Sequence, residues 1–193
     1  MSTPLSFVTR PSLAAIYGVA ESSEAPIELP PERAGLLTRL AFLANTDGVS
    51  DPIHRGKRIR TQLLCGELKQ PDPNTLPAGS LEPPAPDATL TTRERVTQKT
   101  QSAECTGCHA LINPLGFAME DYDGLGRHRS IEKIFDPSGE LLAELAVDAS
   151  VDPIFETEGG HFVPRAIFGA LAQALPVRLH TEEGAGLALV RQS

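Results

Sequence analysis

Between Gln70 and Leu90 the chain carries Pro71, Pro73, Pro77, Pro83, Pro84 and Pro86. Each proline removes a backbone donor and holds φ near about −65°, so this tract excludes a helix or central strand and favours extended polyproline geometry. It reads as a wrapping linker or a boundary. The 193 residues, 40% of them hydrophobic, suffice for one domain or two small ones. With 17 Lys and Arg against 25 Asp and Glu, the formal net charge is −8. That balance disfavours nucleic acid, which is held by clustered cations that release counterions. No apolar run approaches the roughly 20 residues of a membrane helix, and Met1 to Arg10 lacks the basic start and apolar stretch of an export signal. Three cysteines are too few for a disulfide-dense scaffold.

Before the tract, Leu13, Ile16 and Tyr17 form a short apolar face that breaks at Gly18 and runs into a polar loop up to Pro31. Glu32 to Ala44 places Leu36, Leu37, Leu40 and Leu43 at helical spacing and predicts a helix. Asp51-Pro52 is a cap followed by a first-turn proline, opening a second helix through Cys65 to Gly66. His54, Arg55, Lys57, Arg58 and Arg60 make its polar face basic. After the tract, Thr91-Thr92-Arg93-Glu94 is a capping box, so a helix should run from Thr92 towards Cys105. Val96 is its main apolar residue before Ala103, and a helix so poor in apolar surface needs something else to hold it. Asn113-Pro114 marks a turn and a new helix start, which Asp123-Gly124-Leu125-Gly126 ends. Ile131 to Leu145 reads as a hairpin around Asp136-Pro137-Ser138-Gly139, its second arm equally compatible with helix. Phe162 to Leu175 is the clearest late helix.

The chemistry lies in Cys105-Thr106-Gly107-Cys108-His109, the spacing of c-type haem attachment. Two thiols three positions apart on a helical turn can form thioethers with the two vinyl groups of one porphyrin, and the adjacent imidazole can ligate the iron. Two other readings stand beside it. Cys65, Cys105, Cys108 and His109 could form a Cys3His zinc site and staple a structural or interaction module, or the thiols and the imidazole could be chemically idle. No paired-carboxylate or nucleophile–base pattern, GxSxG, P-loop or dinucleotide fingerprint occurs, so the chain reads as an electron-transfer domain rather than a self-contained enzyme.

Cys105 to Arg127, CTGCHALINPLGFAMEDYDGLGR, resembles the cytochrome-associated domains of unknown function of planctomycete-type and myxobacterial multidomain proteins, whose usual pattern is CxxCH, then DPLGFALENFD, then GR. Arg33 to Thr38 (RAGLLT), Arg55-Gly56-Lys57, Leu63-Leu64-Cys65, the proline tract and Thr92-Arg93-Glu94 resemble the same domain in the same order. Val147 to Ser150 (VDAS) and the helix after His161 resemble the short domain that usually follows. The chain departs from the pattern with Asn113 in place of Asp, Asp121 in place of Asn, Tyr122 in place of Phe and Met119 where Leu is frequent.

The resemblance implies a fragment or truncated product of a larger exported protein, periplasmic or at the cell surface, with haem c as cofactor. Its redox partner would be another protein or an upstream domain of the same parent. The segments expected are residues 1–30 as the tail of an upstream helical domain, 31–130 as the haem domain containing the proline tract, and 131–193 as a small C-terminal domain whose last residues, from Leu179, depart from the family ending. The fold expected is mainly α: a cytochrome c-like helical haem domain with a small α+β C-terminal appendix.

Around the motif, Leu111, Ile112, Leu115 and Phe117 suit either a porphyrin wall or ordinary core. A carbonyl near Asn113-Pro114 could accept from the His109 ring and set its tautomer. Arg127, His128 and Arg129 could pair with haem propionates or form an exposed basic turn. Cys65, left over, is expected as a small buried hydrophobe. For the sixth iron position Met119 is a candidate, although it also falls in a core stripe with Leu115, Ala118 and Tyr122. His54, His128, His161, His180 or an open site are the alternatives.

Overall fold

A computed structural model describes residues 5–33, 35–45, 49–69, 71–72, 76–150, 177–180 and 188–191. The chain divides into two compact units, each discontinuous in sequence: Met1–Val49 with Tyr122–His128 and Ser150–Ser193, and Ser50–Asp121 with Arg129–Ala149.

The first unit corrects the mainly α expectation. Strand β1 (Leu5–Val8) pairs antiparallel with β2 (Ser22–Glu28), and helix α1 (Pro11–Tyr17) lies between them in sequence. The polar stretch read as a loop up to Pro31 is thus largely a strand. A proline at position 26 is tolerated there because each strand of a two-stranded ribbon has a free edge. Val8, Ala14, Tyr17 and Leu29 form the core of this unit, with Leu13, Val19, Ile27 and Leu40 packed against it.

No continuous helix covers Glu32 to Ala44 either. A single 3-10 turn, Pro31–Arg33, is followed by turns, and only the short helix α2 (Leu40–Leu43) forms. Gly35 has φ 87°, outside the helical region, and Leu36 is left 54% exposed. Arg33 is 2% exposed. Its guanidinium donates to the carbonyls of Gly126 (2.5 Å) and Ile16 (3.0 Å) and stacks on the rings of Tyr17 (5.2 Å) and Tyr122 (5.1 Å). The Tyr122 hydroxyl donates to the Glu32 carbonyl. Burial pushes the Arg33 pKa down, partly opposed by the two tyrosines.

In the second unit α3 (Pro52–Arg58) starts where expected, with the Asp51 carboxylate accepting from the His54 amide at 3.1 Å. It continues into a wider turn, Ile59–Leu63, closed by the Leu64 amide on the Ile59 carbonyl at 3.0 Å. Helix α4 (Thr92–Thr100) carries the complete capping box of Thr91 and Glu94. Its polarity is answered by polar partners: the Glu132 carboxylate accepts from both the amide and the hydroxyl of Thr92, and Arg93 lies 5.1 Å from the Phe117 ring centre. Residues 79–85 of the proline tract lie against α4, with Lys99 Nζ donating to the carbonyls of Gly79 (2.8 Å) and Glu82, and Arg95 donating to that of Ala85 (3.2 Å).

Helix α5 (Ala103–Phe117) runs unbroken through Pro114, where the sequence predicted a turn. The proline removes one helical donor, to the carbonyl of Ala110, and Ala110 is exposed, so water can satisfy that oxygen. Helix α3 crosses α5 at two glycines. A Cβ on Gly56 would lie 1.9 Å from the Ile112 carbonyl oxygen, and one on Gly116 1.8 Å from that of Pro52. The hairpin forms as predicted, with β3 (Ile131–Phe135) antiparallel to β4 (Leu141–Ala146), so its second arm is strand. The Asp136 carboxylate holds the turn by accepting from the amides of Ser138 and Glu140, both at 2.8 Å.

Strands β5 (Val177–His180) and β6 (Ala188–Arg191) also pair antiparallel. The helix expected over Phe162 to Leu175 lies outside the described residues. Short helices mixed with two-stranded antiparallel ribbons make this an α/β mixture, and the cytochrome c-like mainly α fold is set aside.

Candidate haem-attachment site

All of CTGCH lies in the N-terminal half of α5, with Cys105 in its first turn. The anchoring of α5 is asymmetric. Ile112, Asn113, Leu115, Gly116 and Phe117 are buried, whereas residues 103–111 are exposed or half-buried. The far half therefore fastens the helix, and the near half offers its side chains outward.

Cys105, Cys108 and His109 are each half-buried, and both thiols are free. Positions three and four apart share one helical face, so α5 places Cys105, Cys108 and His109 on neighbouring ground. A Cβ on Gly107 would meet nothing within 4 Å, which leaves the turn between the thiols open. The Cys108 thiol lies 3.8 Å from the Lys69 carbonyl. His109 Nδ1 lies 2.9 Å from Asn113 Oδ1, Asn113 Nδ2 donates to Thr100 Oγ1 at 2.8 Å, and Thr100 Oγ1 donates to the Val96 carbonyl at 2.8 Å. The expected acceptor near Asn113-Pro114 is thus the Asn113 side chain rather than a main-chain carbonyl.

Two accessible thiols and an imidazole with one ring nitrogen engaged fit haem attachment and ligation. Zinc needs a fourth donor. Among the described residues no three His, Cys, Asp or Glu side chains are grouped for a metal, so Cys65 does not join Cys105, Cys108 and His109. Cys65 is exposed, not buried as expected, and has a φ of 54° just beyond the wider turn that ends at Leu63.

The other candidates are dispersed. Met119 is 4% exposed, beyond the end of α5, and its carbonyl accepts from Arg55 at 3.0 Å. At about 1.5 Å per helical residue, the turns of α5 between His109 and Phe117 keep it well away from the imidazole. Ile112, Leu115 and Phe117 belong to the buried core, and only Leu111 is half-exposed. Arg127 pairs with Asp123 at 2.7 Å, and His128 is exposed with its ring edge-on to Tyr122. His54 is exposed and 2.6 Å from Asp51. His161 lies outside the described residues, as does the side chain of His180.

Arg129 leads to a buried cluster that the sequence did not signal. Glu120 is 2% exposed, accepts from the Ser50 hydroxyl at 2.5 Å, and has Arg129 at 3.6 Å and Arg55 at 3.8 Å. Glu132, 4% exposed, faces Arg95 at 3.8 Å and Arg129 at 4.0 Å. Burial raises the Glu120 pKa to about 7, against the opposing pull of Ser50 and the arginines. A carboxyl raised in the folded state binds more protons there than when unfolded, so its stabilisation is complete below about pH 4.5 and is lost as pH rises to about 7. Glu120→Gln should flatten the fall in stability between those values. Unfolding midpoints in urea at pH 5 and pH 8 check this, and an unchanged slope would contradict it.

The family model PSCyt3, described as a protein of unknown function (DUF1588), matches residues 33–132, just over half of the chain. The matched stretch runs from Arg33, through all of CTGCH, to Glu132. No curated protein and no solved structure matches the chain.

Proposed function

Because the chain belongs to the PSCyt3 family of unknown function, whose matched stretch encloses CTGCH, we propose that it holds one haem c and serves one-electron transfer. Cys105 and Cys108 are the thioether positions, and His109 is the axial ligand. Carrying this reading is the run of two free, partly exposed thiols and an adjacent imidazole on the outward half of a helix whose other half is anchored. Bound haem supplies reversible one-electron chemistry, and the protein sets its ligation and surroundings. Helix α5 pre-arranges both thiols on one turn, so little chain ordering remains at attachment.

Thioether attachment takes place outside the cytoplasm, so the parent protein is placed in the periplasm or at the cell surface. The electron partner is a redox protein or another domain of the parent. No helix among the described residues is long and apolar enough to cross a membrane.

The test is production in a host with haem c maturation machinery, with haem staining of the denatured chain. The wild type should retain stain, Cys105→Ser with Cys108→Ser should lose it entirely, and Cys65→Ser should match the wild type. Stain retained by the double variant would overturn the assignment of the two thiols.

A further inference from the structure

We propose that Asn113 and Thr100 are positioning residues that lock His109 in its Nδ1–H tautomer, leaving Nε2 as the one ring lone pair available to a metal. The role towards iron rests on the haem reading above, whereas the tautomer follows from the hydrogen bonds alone.

Thr100 has one hydroxyl proton, and it goes to the Val96 carbonyl at 2.8 Å within α4. Towards Asn113, 2.8 Å away, the hydroxyl oxygen can therefore only accept, so the amide NH2 must point at it. The amide oxygen then faces His109 Nδ1 at 2.9 Å. Because that oxygen only accepts, Nδ1 must carry the proton. Flipping the amide would oppose two acceptors at Thr100 and turn the NH2 towards His109, where it could bond only to an unprotonated Nδ1. Asn113 and Thr100 are each 7% exposed, so neither has bulk water to absorb such a mismatch. Among the described residues His109 Nε2 makes no hydrogen bond, and the ring is half-buried.

The acceptor is a neutral amide. A carboxylate in its place would draw the Nδ1 proton more strongly, make the imidazole a richer donor and favour oxidised iron. The amide orients the ring without that push, and Asn113→Asp should lower the potential of the haem-loaded chain.

The first readout needs no haem. In the full haem-free chain labelled with 15N-histidine, at a pH where imidazole is neutral, the His109 ring should show a protonated Nδ1 and an unprotonated Nε2, with His109→Gln identifying the signals. Thr100→Ser keeps the hydroxyl and should keep this pattern. Thr100→Val keeps the shape but frees the amide to turn, and should shift the population towards Nε2–H. A wild type already in the Nε2–H form overturns the proposal, as does a folded Thr100→Val with undiminished Nδ1–H. The second readout is the midpoint potential of loaded protein, lower in Asn113→Asp and unchanged in Thr100→Ser. An unchanged potential in Asn113→Asp refutes the tuning role. Failure of every variant to load haem refutes the haem assignment instead, with the tautomer decided separately by the nitrogen spectra.

Discussion

Gly116→Ala should lower the stability of the chain by about 3 kcal/mol or more, at or beyond the top of the usual range for overpacking. The new methyl would lie 1.8 Å from the Pro52 carbonyl oxygen, and the obstacle is backbone, which cannot rotate away as a side chain does. Gly56→Ala meets the Ile112 carbonyl at 1.9 Å and should cost a similar amount. Both act on the crossing that anchors α5, so each should also loosen the CTGCH turn. Gly107→Ala is the internal control: it meets nothing within 4 Å and lies in the same helix, so it should be neutral or stabilise by up to about 1 kcal/mol through helix propensity. Urea unfolding of the three variants decides the matter, and a Gly116→Ala midpoint equal to that of the wild type would remove the close crossing from the account.

Arg55→Met should also be damaging, by about 1–3 kcal/mol, because it leaves the Met119 carbonyl without that donor and the buried Glu120 carboxyl short of a counter-charge. Arg55 lies 3.8 Å from Glu120 and donates to the Met119 carbonyl at 3.0 Å, so one substitution withdraws both contacts. The loss should depend on pH. Glu120 is raised to about 7 by burial, so at pH 5 it is neutral and tolerates the missing cation, whereas at pH 8 its ionised form does not. Arg55→Met should therefore lose more stability at pH 8 than at pH 5. Equal losses would show that the cluster is held by packing, with charge contributing little.

Local chemistry was legible where a few adjacent residues settle the backbone. The Thr91 to Glu94 capping box, the Asp51 cap and the Asp136 to Gly139 turn each make their own hydrogen bonds within four residues, and each forms as read. Patterns that need a distant partner misled. Leu36, Leu37, Leu40 and Leu43 have helical spacing, but Gly35 leaves the helical region and Arg33 is drawn 93 positions away to the Gly126 carbonyl. Ser22 to Glu28 is too polar to announce a strand, and only the ladder with Leu5 to Val8 makes it one. Asn113-Pro114 reads as a helix start, yet the lost hydrogen bond falls at Ala110, an exposed residue within reach of water, and α5 continues.

The same division applies to the site. CTGCH was visible because its chemistry is set by spacing along one helix. Thr100 was not, because it meets Asn113 only once α4 and α5 are packed together. Glu120 and Arg129 sit nine positions apart and carry ordinary surface residue types, so nothing in their spacing foretold a buried pair. Knowledge that α5 is fastened by its C-terminal half also came only from the fold, and that asymmetry is what leaves the thiols accessible.

The most direct measurement is a pyridine haemochrome spectrum of the purified chain, produced with haem c maturation machinery and denatured in alkaline pyridine. One haem per chain is expected, resistant to acid–acetone extraction and with the α-band position of a haem bound through two thioethers. A chain without covalent haem, or one whose haem is fully extracted, would contradict it.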